Sequence, residues 1–365
     1  MADLRKSIDY IIVGHGLAGS SLKRALEQLG NSCLLVASEK AGQASSVASG
    51  MWNPLTFRLL LKSWRVDELL PVALQFYGEV AAIHGIELCK SLNILRAFPD
   101  AAAALRWEER LLEPDYAAYI SASRIDSWPV ALLQKQGYGL VNGAGWLNIN
   151  TYLNAEHELW KKDGSMLYSN FNAKDLQLEE HQLQWQGIRC SKVIFCRGQF
   201  ERFDSWFNWL PLKPAQGDVL TLRIPNLKLE QIYNAGFFIL PLGDDRYRLG
   251  ATYEWEQLSD QPTESGKRNL LEKFESAYSG PYELIDHLAG IRPTVADRRP
   301  LLGFHPENER LGIFNGLGTK GVMIAPYFAK QFAEYLTHQI PVEDEVHIKR
   351  FRKRYEQHTG KKWKA

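Results

Sequence analysis

The sequence predicts an α/β fold in which a parallel-sheet domain is combined with a second, α+β domain that contains an antiparallel sheet. Three observations lead to this fold class. A strand, a glycine turn, a helix and another strand follow one another within residues 8–37. A second strand, glycine turn and helix lie within residues 311–336. Between them, residues 217–256 contain alternating apolar runs and a hairpin turn, which are typical of antiparallel strands.

The N-terminal unit has the pattern of a Rossmann-like βαβ motif. Residues 8–13 form a short, mostly apolar run with β-branched residues, which predicts a buried parallel strand. Apolar residues at helical spacing then predict a helix that ends near Gly30. Residues 32–37 predict the second strand. In this setting the glycine turn indicates a dinucleotide-binding site.

The three glycines of that turn have the G-x-G-x-x-G spacing, and each has a physical role. Gly14 permits the tight turn, Gly16 lets the backbone approach a pyrophosphate, and Gly19 lets the helix pack close to the strand. The helix N-terminus then offers N–H groups and partial positive charge to the phosphates.

The end of the second strand departs from the usual fingerprint. Dinucleotide-binding units commonly have an acidic residue there, which binds the ribose hydroxyls. Here Ala37 and Ser38 occupy the position, and the nearest acid is Glu39. We therefore expect either that Glu39 reaches back to the ribose or that Ser38 makes a weaker contact.

The remaining elements follow in order along the chain. Residues 41–54 are small and polar, which allows close approach to a ligand. Residues 62–85 predict an amphipathic helix pair broken near Pro71, and residues 101–112 predict another helix. Residues 191–200 predict a strand that ends at a second glycine junction.

Composition and charge exclude several classes of protein. A net charge of +1 argues against a broad nucleic-acid-binding surface. No 18-residue apolar run is present, and the N-terminus has no signal-peptide pattern. The cysteines are scattered without a C-x-x-C pair, so we expect reduced thiols, no metal site and a cytoplasmic protein. No zinc-protease or G-x-S-x-G hydrolase motif is present.

Several segments together resemble the FAD-dependent D-amino-acid oxidase superfamily, on the side of the glycine and sarcosine oxidases. They are "IIVGHGLAGSSLKRAL", "ASSVASGMWNP", and "GIRPTVADRRPLLG" followed by "NGLGTKGVMIAP". The resemblance covers most of the chain and implies FAD rather than NAD. It implies a discontinuous FAD-binding domain of residues 1–60, 140–210 and 285–365, and a substrate domain of residues 61–139 and 211–284.

The resemblance also implies which residues bind the cofactor. They lie along the pyrophosphate, at the ribose, towards the flavin, at the adenosine half and below the pyrimidine edge of the ring, where Lys320 would stabilise negative charge. The expected set is Gly14, His15, Gly16, Leu17, Ala18, Gly19, Ser38, Glu39, Ser45, Ser46, Ser49, Gly50, Met51, Cys196, Arg197, Gly198, Gly318, Thr319, Lys320, Gly321 and Val322. No cysteine falls where the ring's methyl edge is expected, so we expect non-covalent FAD.

For the substrate, the resemblance implies a small molecule with a carboxylate. Arg292, in "GIRPT", matches the arginine that binds this carboxylate in the amino-acid oxidases. Thr319 stands where glycine oxidase has a further arginine, so the substrate need not be a simple amino acid. The expected reaction is oxidation of a C–N bond by hydride transfer to flavin N5. Further residues expected to line the site are Trp52, Arg58, Phe238 and Tyr253.

Other functions stay open from the sequence. A flavin-dependent hydroxy-acid dehydrogenase and a non-catalytic flavin-binding protein are the main alternatives. An aromatic-ring hydroxylase is a more distant alternative, because the Gly-Asp flavin motif that such enzymes have later in the chain is not evident in this sequence. A tRNA-modifying enzyme is a further alternative, and it would require a basic patch or an added transferase domain. The sequence carries no feature that fixes the oligomeric state.

Overall fold

The computed structural model of the chain describes residues 7–38, 44–121, 132, 136–180, 182–256 and 258–364. The helices are α1 (Leu17–Gln28), α2 (Ala44–Val47), α3 (Val66–His84), α4 (Ala101–Leu111), α5 (Ile149–Lys162), α6 (Glu264–Glu275), α7 (Gly321–His338) and α8 (Arg352–Thr359). The strands are β1 (Ile8–Val13), β2 (Cys33–Ala37), β3 (Met51–Trp52), β4 (Leu55–Thr56), β5 (Leu61–Lys62), β6 (Cys89–Ser91), β7 (Ile94–Ala97), β8 (Ile120–Ser121), β9 (Tyr138–Val141), β10 (Gly145–Leu147), β11 (Met166–Tyr168), β12 (Gln177–Leu178), β13 (Leu183–Trp185), β14 (Ile188–Phe195), β15 (Ala215–Arg223), β16 (Ile232–Asn234), β17 (Phe238–Gly243), β18 (Arg246–Gly250), β19 (Glu283–Arg292), β20 (Leu301–His305) and β21 (Asn308–Asn315).

A parallel core forms the first sheet. Strand β1 lies between β2 and β14, both parallel to it, and β11 and β21 extend the parallel set on either side. Helices α1, α3, α5 and α7 cover one face, where Ile12 and Leu35 are buried. Ile11 and Val13 point to the other face and pack in a cluster that contains Trp185. Because β1 is buried on both faces, it has the continuous apolar run noted in the sequence.

The second sheet is mainly antiparallel, as the sequence predicts. Its strands lie in the order β19-β15-β18-β17-β16-β7-β9-β8, and among the described strands β16 and β7 form its one parallel pair. The predicted hairpin is present: Asp244 and Asp245, between β17 and β18, have φ values of 53° and 56°. Positive φ at both central residues is the geometry of a tight hairpin turn. Helix α6 packs against β15 on the sheet's outer face.

The two sheets draw on different parts of the chain. The first sheet takes its strands from residues 8–37, 166–195 and 301–315, and the second takes its strands from residues 94–141 and 215–292. The predicted domain boundaries at 139/140 and 284/285 therefore fall inside β9 and β19, which belong to the second sheet. The division into two domains stays a prediction.

The predicted break near Pro71 is wrong. Helix α3 is continuous from Val66 to His84, with Pro71 inside it. A proline in the second turn removes one backbone hydrogen bond, to the carbonyl of Asp67. Packing of α3 on α7 buries Leu69, Ala73 and further apolar side chains, and this packing outweighs the lost bond.

Two other expectations concern membranes and metals. Among the described residues, no helix has the length and apolar character needed to cross a membrane. In the same part of the chain, no group of His, Cys, Asp and Glu side chains is arranged to hold a metal ion. The four cysteines are free thiols.

Candidate active site

A cleft of about 590 Å³ lies between the carboxyl edge of the first sheet and one face of the second. Its walls include the N-termini of α1 and α7, the strand–glycine junction after β14, and residues of β15, β17, β18 and β19. The sequence-predicted residues that line it are Gly14, His15, Gly16, Leu17, Ala18, Ser38, Ser45, Ser49, Gly50, Met51, Cys196, Arg197, Gly198, Phe238, Tyr253, Arg292, Gly318, Thr319, Gly321 and Val322.

The backbone around the glycine turn after β1 leaves no room for a side chain at Gly14 or Gly19. Gly14 has φ of 111°, and a Cβ there would lie 2.5 Å from the carbonyl oxygen of Cys196. A Cβ on Gly19 would lie 1.8 Å from the carbonyl oxygen of Gly14. Gly19 does not line the cleft; it lets α1 approach β1, which is the role expected for the third glycine.

The N-terminus of α1 opens onto the cleft beside this turn. Gly16 occupies the N-cap position, and no capping side chain on it satisfies the helix N–H groups. Ser45 Oγ accepts a hydrogen bond of 3.1 Å from the Leu17 N–H, which fixes the serine loop (residues 44–49, including the short helix α2) against α1. Beyond Leu17, the N–H groups of the first turn receive no capping bond from Gly16, and such a helix start is suited to an anionic phosphate.

His15 is buried at this end of the cleft, with 8% of its surface exposed. Its ring centroid lies 5.4 Å from that of His157, whose Nε2 is 3.0 Å from Ser20 Oγ. Burial, aided by the charge of Lys161, lowers the pKa of His15 to about 4. The imidazole is therefore neutral at pH 7 and adds no positive charge beside a phosphate.

Arg197 forms the opposite wall of this end. Its Nη2 donates to Glu201 Oε1 at 2.7 Å and pairs with Asp204 as well. Its Nε is buried and has no hydrogen-bond partner among the described residues. This donor leaves a polar position that a bound ligand can satisfy.

Where the sequence leads us to expect the ribose, the described residues of the cleft wall have neutral side chains. Ser38 Oγ donates to Asn170 Oδ1 at 2.8 Å, and both residues line the cleft. Glu39, the acidic candidate, lies outside the described residues. Asn170 is not among the sequence-predicted residues, although it lines the cleft. The signal was available: β11 is parallel to β2, so polar residues after both strands meet at one edge.

Four more predicted residues lie away from the cleft lining. Trp52 is 2% exposed; its Nε1 donates to the Gly143 carbonyl at 3.1 Å, so it is a core residue. Arg58 is exposed in the turn between β4 and β5. Ser46 contributes its carbonyl oxygen to Asn150 Nδ2 at 3.3 Å. Lys320 extends from the N-cap of α7 to Ser63 Oγ.

Arg292 is the arginine that the second sheet contributes to the described cleft wall. Its Nη1 donates to the carbonyl oxygens of Gln216 at 3.2 Å and Thr252 at 3.3 Å. The guanidinium lies 4.4 Å from the ring centroid of Tyr253. A Cβ on Gly217 would lie 2.1 Å from Arg292 Nη2, so this glycine makes room for the side chain.

No carboxylate among the described residues forms an ion pair with Arg292. Burial lowers its pKa below the ordinary value, and Tyr253 and Asp218 oppose this shift. Asp218 is engaged elsewhere, with its Oδ1 2.8 Å from His287 Nε2. Arginine stays protonated in proteins. The cleft therefore contains a partly desolvated positive charge that is suited to a ligand's carboxylate.

Comparison with known families decides the class of protein. A family model described as "FAD dependent oxidoreductase" (DAO) matches residues 9–335. The chain belongs to this family. It is therefore an FAD-dependent oxidoreductase, and the expectation of FAD rather than NAD is confirmed.

Individual relatives share about a quarter of their aligned residues with this chain. The chain is 25% identical to glycine oxidase of Bacillus licheniformis over 91% of its own length and 94% of the relative's. It is 25% identical to the tRNA 5-methylaminomethyl-2-thiouridine biosynthesis bifunctional protein MnmC of Marinobacter nauticus. That alignment covers 90% of this chain and 55% of the bifunctional protein.

Solved structures share the fold. Iminodiacetate oxidase from Chelativorans sp. BNC1 superposes with a TM-score of 0.75 at 19% identity, covering 92% of this chain and 98% of that chain. Glycine oxidase from Geobacillus kaustophilus superposes with a TM-score of 0.76 at 18% identity, covering 92% and 96%. The predicted α/β class with an antiparallel second sheet is confirmed.

The cleft fits FAD on the evidence of its own residues. Side chains are excluded at Gly14 and Gly19, the N-cap residue Gly16 has no side chain to cap α1, and Arg197 Nε is a buried donor without a partner among the described residues. A second uncapped helix start, that of α7, faces the other part of the cleft. These features offer donors to a phosphate-containing, partly anionic cofactor along one continuous cavity.

Proposed function

We propose that this oxidoreductase oxidises the C–N bond of an amine or amino acid that carries a carboxylate. The observation that carries the proposal is Arg292, a partly desolvated guanidinium in the cleft wall. In the described residues it has carbonyl and aromatic partners and no acidic one. A carboxylate would supply the missing counter-charge and accept a bidentate hydrogen bond.

The names of the relatives support the same class of substrate. They include glycine oxidase, iminodiacetate oxidase and L-amino acid deaminase. Each of these names refers to a substrate, or a class of substrate, that has both an amino group and a carboxylate.

In this proposal the chain's residues bind, orient and shield. Arg292 fixes the carboxylate, which places the neighbouring C–N bond in one orientation. Phe238 and Tyr253 also line the cleft, and their rings would limit the water beside a bound substrate. The glycine turn, the serine loop at Ser45 and the backbone near Gly318 would hold FAD. When bound, FAD supplies a two-electron acceptor for the hydride released from the amine carbon.

The start of α7 would stabilise negative charge at the pyrimidine edge of the flavin. Gly318 and Thr319 line the cleft, and the helix from Gly321 has no capping side chain. Lys320 Nζ donates a hydrogen bond to Ser63 Oγ, and Lys320 does not line the cleft. Its contribution would therefore be electrostatic, without direct contact with the flavin.

The residues of the cleft favour an amine over a hydroxy acid. Oxidation of a hydroxyl calls for a base that removes the O–H proton, whereas a neutral amine has a lone pair and needs no such base. Among the described lining residues the histidine is His15, at the end of the cleft formed by the glycine turn after β1. Arg292 lies instead on the second sheet, in the strand that pairs with β15.

The test is anaerobic reduction of the purified flavoprotein by a panel of amino acids, secondary amines and 2-hydroxy acids. We expect amines with a carboxylate to bleach the flavin absorbance. Arg292→Gln should lower the second-order rate of reduction by about 100-fold, since a charge-assisted bidentate contact is lost. Arg223→Gln, which removes an exposed arginine paired with Glu283, is the matched control. Bleaching by hydroxy acids alone would refute the proposal.

A further inference from the structure

Two exposed aromatic side chains lie at the edge of the cleft, next to Arg292. Tyr253 lines the cleft and is 51% exposed, so it marks the boundary between the cleft and the solvent. Its ring centroid lies 4.4 Å from the guanidinium of Arg292 and 5.8 Å from the ring centroid of Trp255. Trp255 is 52% exposed, and the planes of the two rings are inclined by 32°. The guanidinium and the two rings therefore follow one another from the cleft wall to the solvent.

The backbone that carries these rings is held by Gln216, which is fully buried. Gln216 and Glu254 exchange backbone hydrogen bonds of 2.9 and 3.1 Å. The Gln216 side chain accepts a bond of 2.5 Å from the Ser259 N–H and donates to the Gln261 carbonyl oxygen at 3.3 Å. Arg292 Nη1 donates to the Gln216 carbonyl oxygen as well. The segment that bears the exposed rings is thus tied to the residue that contacts Arg292, which fixes its position beside the guanidinium.

Packing in the hydrophobic core does not account for the position of these rings. Among the described residues, neither Tyr253 nor Trp255 belongs to a buried apolar cluster or to the half-buried side chains packed against one. Covering their exposed apolar surface with a ligand would be favourable, and an aromatic ligand would add a stacking contribution. Glu254 and Glu256 are exposed on either side of Trp255 in the sequence, so an uncharged ring is favoured over a second carboxylate.

We propose that Tyr253 and Trp255 form a subsite for an aromatic ring of the substrate. The proposal rests on the proposed function, in which Arg292 binds the carboxylate. Because the guanidinium lies 4.4 Å from the Tyr253 ring, a carboxylate bound to it stands beside that ring. An aromatic group one or two bonds from the amine can therefore reach the subsite while the carboxylate stays on Arg292. The substrate class is an amine that bears a carboxylate and an uncharged aromatic group, as in an aromatic amino acid or an N-arylmethyl glycine.

The first experiment measures binding and needs no turnover. Isothermal titration calorimetry of the oxidised holoenzyme compares acetate, phenylacetate and cyclohexylacetate, of which the last has a six-membered ring that is not aromatic. We expect phenylacetate to bind about 10-fold more tightly than acetate and about 3- to 10-fold more tightly than cyclohexylacetate. If phenylacetate binds no more tightly than either of the other two, the proposal is overturned.

Substitution of Trp255 assigns the preference to the subsite. Trp255→Ala should weaken phenylacetate binding by about 5-fold and leave acetate binding within about twofold, while Trp255→Phe should retain most of the preference.

Phe203→Ala is the matched control for Trp255→Ala. Phe203 is 74% exposed, and its ring contacts Arg202, which does not line the cleft, whereas the Trp255 ring contacts Tyr253, which does. We expect Phe203→Ala to bind all three carboxylates as the parent does. Equal weakening of acetate and phenylacetate by Trp255→Ala would refute the subsite, as would an equal loss of phenylacetate affinity in Phe203→Ala.

The second experiment measures anaerobic flavin reduction with matched amines. Both enantiomers of phenylalanine are compared with those of alanine, and N-benzylglycine with N-methylglycine, in the parent and in Trp255→Ala. At least one aromatic member should react faster than its counterpart in the parent, and Trp255→Ala should lower its second-order rate by about 5-fold. If no amine bleaches the flavin while the calorimetric preference persists, the proposed function fails and the subsite stands. If amines bleach it and no aromatic ligand is preferred, the subsite fails and the proposed function stands.

Discussion

Lys320 shows how its surroundings change the charge of a single side chain. It lies at the start of α7 against Ser63, and burial lowers its pKa from 10.5 to about 8. Below pH 8 both folded and unfolded chains hold the proton, so the folded state bears the cost of a desolvated cation. Between pH 8 and 10.5 the folded state releases this proton first, so the contribution of Lys320 to stability becomes less unfavourable as pH rises.

Substitution of Lys320 tests this sign. Lys320→Met should raise the free energy of unfolding at pH 7 by up to about 3 kcal/mol, because the desolvated charge is removed. The gain should shrink as pH rises towards 10. Thermal melts of both proteins at pH 7 and pH 9.5 measure it. A gain that does not depend on pH would show that the effect comes from packing.

The ribose position gives a second prediction at this scale. Asn170→Ala should weaken FAD binding by about 5- to 10-fold, since one hydrogen-bonding group at the edge of the first sheet is lost. Fluorescence titration of the apoprotein with FAD measures the change. Glu39→Gln is the comparison. A larger loss of FAD affinity in that variant than in Asn170→Ala would show that Glu39, and not Asn170, is the main ribose-binding side chain.

Sequence predicted single residues well where backbone geometry decides the role, and less well where tertiary neighbours decide it. Gly14 and Gly16 are constrained by a local motif, and the structure places both in the cleft wall. Trp52 and Arg58 are close to the serine loop in sequence, yet one is buried in the core and the other is exposed. Nothing local distinguishes these outcomes, because the direction of each side chain depends on strand pairing.

At the scale of elements, the clearest prediction concerns the packing of α1 against β1. Gly19→Ala should lower stability by about 2–4 kcal/mol and abolish FAD retention, because its Cβ would overlap the Gly14 carbonyl oxygen. Gly78→Ala is the control: Gly78 lies in α3 with no atom within 4 Å of its Cβ position, so alanine should stabilise by about 0.5–1 kcal/mol. Chemical denaturation and the flavin content of the purified variants measure both effects.

Elements with strong local signals were predicted almost to the residue. Strand β1 has the predicted bounds, and α1 ends just before Gly30. The predicted break at Pro71 failed for a nonlocal reason. Packing of α3 on α7, from the far end of the chain, stabilises a helix that propensity alone would interrupt.

At the scale of the whole molecule, the hydrophobic pattern of the sequence predicts the fold class. It does not predict which sheet each strand joins. Alternation in residues 217–256 predicts antiparallel strands, which the second sheet contains. The placement of β9 and β19 in that sheet depends on partners distant in sequence. Strand β9 pairs with β7 and β8, and β19 pairs with β15 along nine register positions.

FAD should act as a structural ligand for the whole molecule. It would contact both the first sheet and the wall of the second, so its removal should lower the melting temperature of the entire chain. A ligand held at 100 times its Kd adds about 2.7 kcal/mol to the free energy of unfolding. Melting the apoprotein at increasing FAD concentrations measures this. A melting temperature that does not change with FAD would contradict the placement of the cofactor between the sheets.

The order of strands in the first sheet has a consequence for biosynthesis. Its strands come from residues 8–37, 166–195 and 301–315, and the cleft also takes Gly318 and Val322. A nascent polypeptide leaves the ribosome from its N-terminus, so the glycine turn emerges long before the α7 end that faces it across the cofactor. A cofactor site that uses both segments is therefore completed only after α7 has been synthesised.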